Sequence, residues 1–84
     1  MGSIIDHIAV REHYRQQPSG IYDIVTGERL WQPDDESSED AYVEALDRLT
    51  PLENSAALVR EGVVRVAEVN NGHVVRIGEP DEII

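Results

Sequence analysis

Seven carboxylates fall within fourteen positions, Asp34, Asp35, Glu36, Glu39, Asp40, Glu44 and Asp47, with no basic residue among them. Carboxylates this close repel one another, and solvent, counterions or a cationic partner must relieve that repulsion. Their simplest use is the solvated side of a helix with acids favourably placed near its N-terminus. Their sharper use is to dock a basic protein, or to mimic nucleic-acid charge and so inhibit a nucleic-acid-binding protein. Either attraction would be steered electrostatically and weakened by salt. General acid catalysis fits less well. It needs a carboxyl whose pKa is raised by desolvation, and an exposed acidic run supplies no apolar cover.

The remaining chemistry-bearing residues form no persuasive constellation. His7 and His13 are six positions apart, so they do not share a helix face, and in a strand they sit too far apart for one ion. His73 reads as solvent-facing. Cysteine is absent, which excludes disulfides, thiolate metal sites and cysteine nucleophiles. Ser19, His13 and Asp23 offer a nucleophile, base and acid only in the sense that any small protein does. A strained serine elbow, a glycine-rich phosphate loop and a dinucleotide fingerprint are all missing. The expectation is a non-enzymatic protein without cofactor or metal. A second, basic grouping is Arg60, Arg65 and Arg76, with Asn54 nearby, and it carries the alternative of nucleic-acid contact.

Composition limits these options. The chain has 84 residues, enough for a single small domain whose modest core could gain from a partner or a homodimer. Seventeen acidic residues face seven basic ones for a net charge of −10, and all seven are arginine. Such a bias fits a GC-rich genome or the halophilic-like surface that keeps proteins dissolved in strong salt. It opposes unaided binding to nucleic acid or anionic membrane at ordinary ionic strength. With no apolar run long enough for a membrane span and no secretory pattern, a cytoplasmic protein is expected.

These residues need elements to position them. Ser3 to Gln17 reads as a helix, with Ser3 and Asp6 as a capping box and Ile4, Ile5, Ile8 and Ala9 on one face, or else as an extra strand. After Pro18, Ser19 and Gly20, a hairpin is expected from Ile21–Val25 and Arg29–Gln32 around Thr26 and Gly27, pairing Tyr22 with Trp31. Residues 33–38 form an acidic loop. Ser37 then caps a helix that buries Tyr42, Ala45, Leu46 and Leu49. Thr50, Pro51 and Glu53 announce a second helix burying Leu52, Ala56 and Val59, stopped at Gly62. Asn71 and Gly72 join a hairpin of Val63–Val69 and His73–Gly78, which places Val64, Val66, Val75 and Ile77 on one face and Arg65 with Arg76 on the other. Residues 79–84 fray unless Ile83 and Ile84 dock.

The expected fold is α+β, with two consecutive helices packed on a small antiparallel sheet of β-hairpins. The order of elements is loosely similar to a winged helix, which implies a DNA-binding transcriptional regulator adapted to high salt as the alternative function. In that alternative Glu53 and Glu61 oppose contact by the second helix.

Overall fold

A computed structural model describes residues 6–34 and 38–83. In chain order the elements are α1 (His7–Tyr14), β1 (Gly20–Asp23), β2 (Arg29–Trp31), α2 (Glu39–Leu49), β3 (Ala56–Arg60), β4 (Val63–Asn70), β5 (His73–Gly78) and α3 (Pro80–Ile83). The strands form one antiparallel sheet in the order β2-β1-β3-β4-β5. The class is therefore α+β. One side of the sheet packs Ile21, Ala56, Leu58 and Ala67 against Tyr42, Ala45 and Leu46 of α2. The other packs Tyr22, Ala57, Val59, Val64 and Val66 against Val10 and Tyr14 of α1, with Ile83 of α3 at its margin.

This two-sided burial corrects the expected second helix. Ala56, Ala57, Leu58 and Val59 are all buried because β3 is the central strand, covered on both faces. Such a strand is a continuous apolar run, and its periodicity does not distinguish it from a helix segment. The apparent helix stop has a second meaning too. Glu61 and Gly62, with φ of 50° and 82°, are the two-residue turn between β3 and β4. A positive φ is demanded equally by a helix C-terminus and by a type I′ hairpin. The Thr50–Pro51 peptide, expected to open that helix, is cis. Glu79, Pro80 and Glu82 carry the same kind of start signal and do open a helix: the Glu79 N–H donates to Glu82 Oε1 at 2.9 Å. Residues 80–83 are thus helical where fraying was expected, with Ile83 packed at the margin of the α1-side core, and Ile84 lies outside the described residues.

The N-terminal segment is helical, capped by Asp6, which accepts from the Ile8 N–H at 2.8 Å. Ser3, Ile4 and Ile5 lie outside the described residues. The buried face is Val10 and Tyr14, while Ile8 is 60% exposed, so the expected Ile8–Ala9 face is the outer one. Ser38 caps α2, one position after the expected Ser37, and its apolar face is as the spacing implies. In the first hairpin the connection spans 24–28, so Ile21 faces Trp31 and Tyr22 faces Arg29. Tyr22 and Trp31 are not a pair. Trp31 meets Tyr42 edge to face at 4.9 Å instead.

The Asn71–Gly72 turn forms as expected, with φ of 54° and 85°. The register then shifts between Glu68 and Val69: Val69 faces Val74 but Glu68 faces Arg76, which leaves Val75 unopposed. One extra residue reverses the facing of everything beyond it. Ile77 consequently packs on the α2 side with Val74, not with Val64 and Val66, and Val75 is 55% exposed.

Candidate functional site

The amphipathic spacing that buries Tyr42, Ala45 and Leu46 turns the acidic residues of α2 outward. Asp40, Glu44 and Asp47 lie at i, i+4 and i+7, one line along the helix, and all three are exposed. Glu39 lies off that line and makes an ion pair with Arg65 of β4. Glu44 has Arg48 at 3.8 Å, a loose pair in solvent. Asp47 stands in the last turn of α2, where the helix dipole disfavours a negative charge. Asp34 is exposed at the end of its described segment, while Asp35 and Glu36 lie outside the described residues.

Beside this line runs a groove of about 450 Å³ between α2 and β5. Val43, Leu46, Val74 and Ile77 make it apolar, and Glu44, Asp47, Thr50 and His73 complete its lining. Val43 is 46% exposed in the midst of the acids. β5 ends the strand order, so among the described residues it pairs with β4 alone. Half of its backbone donors and acceptors therefore face away from the sheet. Sequence reasoning found the carboxylates but missed the groove. Val43, an apolar residue off the buried face of α2, was the signal available. The contribution of β5 was hidden by the shift at Val75.

The arginine grouping is brought together only in part: Arg60 and Arg65 line one cleft, while Arg76 and Asn54 are held elsewhere. Arg76 faces Glu68 and bonds to it, Nε to Oε1, at 2.7 Å. It lies on the side of Val64 and Val66. Arg65 falls on the α2 side and pairs with Glu39 and, at 3.7 Å, with Glu79. Arg60 is exposed at the end of β3 and lines a separate cleft of about 330 Å³ with Glu39, Tyr42, Leu58, Glu61, Val63 and Arg65. Asn54 turns inward, donating from Nδ2 to Asp23 Oδ2 at 3.0 Å.

The Ser19, His13 and Asp23 triple is not assembled. His13 lies edge to face on Tyr14 at 4.8 Å, and Ser19 Oγ accepts from the Glu61 N–H at 3.2 Å. Asp23 accepts from the N–H groups of Val25 and Thr26, at 2.8 and 3.0 Å. Burial raises its pKa, but the hydrogen bonds from Asn54, Thr26 and Val25 outweigh that and hold it below the ordinary aspartate range. Burial pushes the phenols of Tyr14 and Tyr42 up. Both act as neutral donors, to Asp23 O at 3.1 Å and Val59 O at 2.7 Å. Among the described residues no three His, Asp or Glu side chains converge as metal ligands do, and no helix is long and apolar enough to cross a membrane.

Comparisons with protein-family models, with curated proteins and with solved structures find no match.

Proposed function

We propose that this protein is a non-enzymatic interaction or regulatory protein that docks a basic macromolecular partner on α2, as an inhibitor or a mimic of nucleic-acid charge. The observation that carries this reading is the exposed line of Asp40, Glu44 and Asp47 beside an apolar groove. Charge steers a basic partner to the line, and apolar area in the groove holds what arrives. Asp47 adds a specific argument. Its position in the last turn of α2 opposes the helix dipole, so the helix gains nothing from this acid. A partner gives it a use.

The alternative of DNA contact through Asn54, Arg60, Arg65 and Arg76 draws less support. Asn54 is engaged by Asp23, and Arg65 and Arg76 face opposite sides of the sheet, each on a carboxylate. Freeing them for phosphates would break those pairs and leave the net charge of −10 to repel the backbone.

The test is affinity capture from a lysate of the source organism by the protein and by its D40N/E44Q/D47N variant. A basic protein retained by the first and lost by the second is expected, with retention declining as salt rises. Equal retention by both would remove α2 as the docking surface.

A further inference from the structure

The groove and the strand edge beside it carry a more specific reading of the partner, one that rests on α2 being the docking surface. We propose that β5 and α2 together receive an extended segment of a partner protein, in which apolar and basic residues alternate, as a sixth strand of the sheet.

Three features meet at this place. β5 is a six-residue strand at the end of the sheet, paired on one side only among the described residues. Its Val74 and Ile77 face the α2 side, where Val43 and Leu46 form the opposite wall of the groove. Glu44 and Asp47 of α2 also line that groove, and both are exposed. A strand laid against β5 directs alternate side chains into the groove. An arginine or lysine there lays its aliphatic stem along Val74 and Ile77 and brings its charge to Glu44 or Asp47. An acidic segment would meet the same carboxylates and be repelled.

Charge also decides against a second copy of this chain. Pairing β5 with β5 about a two-fold axis normal to the sheet would set both α2 helices over one merged groove. The lines of Asp40, Glu44 and Asp47 would then face each other, like charge to like. The unopposed Val75 adds a local twist that discourages indiscriminate edge pairing. A partner segment must therefore draw its affinity from the groove and its carboxylates as well as from the strand edge.

The probe is an eight-residue peptide of alternating valine and arginine, with two derivatives N-methylated either at the valines or at the arginines. Only one edge of an added strand bonds to β5. One methylated peptide should thus bind roughly tenfold or more weakly, while the other stays within about twofold of the parent. With ¹⁵N-labelled protein, amide shifts should appear across His73–Gly78 as well as on α2. The E44Q/D47N variant should bind the parent peptide roughly tenfold more weakly.

Equal binding by both methylated peptides, with shifts confined to α2, would overturn strand addition while leaving α2 as a docking surface for basic partners. Unchanged binding by E44Q/D47N would overturn both readings. Sedimentation that shows the protein self-associating, with the peptide dispersing the dimer, would assign the groove to a second copy and end the proposal.

Discussion

Asp23 shows how a single carboxylate can organise two distant stretches of chain. Its oxygens accept from Val25 and Thr26 in the loop it opens and from Asn54, thirty-one positions later, on the approach to β3. Hydrogen bonds to a charged group contribute about 1.5–3 kcal/mol, so Asp23→Ala should lower stability by roughly that amount at neutral pH. Asp23→Asn keeps one acceptor for the loop and should lose about half as much. The sign with pH follows from the lowered pKa of the folded carboxyl. Its stabilisation is complete above the unfolded value, near about 4, and disappears as pH falls through the folded value below it. Denaturant midpoints at neutral pH and near pH 3 check this: the gap between wild type and D23N should narrow in acid. A gap independent of pH would mean that the charge stabilises nothing. Asp47 makes the contrasting case. Removing an acid from the last turn of α2 should raise stability by about 0.3–1 kcal/mol. If the docking surface is as proposed, the same D47N change weakens capture of a basic partner, so a thermal midpoint and a binding measurement should move in opposite directions.

At the scale of elements, Gly62 and Gly72 allow a controlled comparison. Each is the second residue of a two-residue hairpin turn, with φ of 82° and 85°. An added Cβ at Gly62 would meet nothing within 4 Å, whereas at Gly72 it would stand 3.0 Å from Pro51 Cβ. Both alanine variants pay for a left-handed backbone, about 1–2 kcal/mol. Gly72→Ala should be worse by roughly 1 kcal/mol, because the Leu52 N–H bond to Gly72 O, at 2.8 Å, holds the turn against that segment. Equal losses in urea denaturation would show that the Pro51 segment gives way. The same two turns explain what could be read from the sequence. Asn71–Gly72 between alternating strands has one meaning, and the hairpin was legible. Gly62 after Ala56–Val59 has two, because a strand buried on both faces loses its alternation, and the helical reading displaced β3. Likewise α2 and its acids were legible from a spacing that only a helix satisfies. The groove beside them was not, since the extra residue at Val75 moves Ile77 to the α2 side and leaves no mark in composition or turn chemistry.

Over the whole molecule, a chain of ion pairs competes with a general repulsion. Arg65 links Glu39 of α2 to Glu79, and Arg11 of α1 links Glu79, at 3.6 Å, to Asp81 of α3, at 3.5 Å. The chain ties the helices on both faces of the sheet together at one end. Its side chains are all more than 40% exposed, so each link contributes about 0–1 kcal/mol. Against it stands a net charge of −10 on 84 residues. Salt weakens the long-range term first, as the screening length shrinks from about 10 Å at 0.1 M to about 3 Å at 1 M. The thermal midpoint should therefore rise with sodium chloride through this range, and a fall would show that the ion-pair chain outweighs the repulsion. Capture of a basic partner should weaken over the same range, because its steering depends on the unscreened charge of α2. Opposite slopes separate the two effects: a partner released while the fold is gaining stability has been released by screening of the docking surface and not by unfolding.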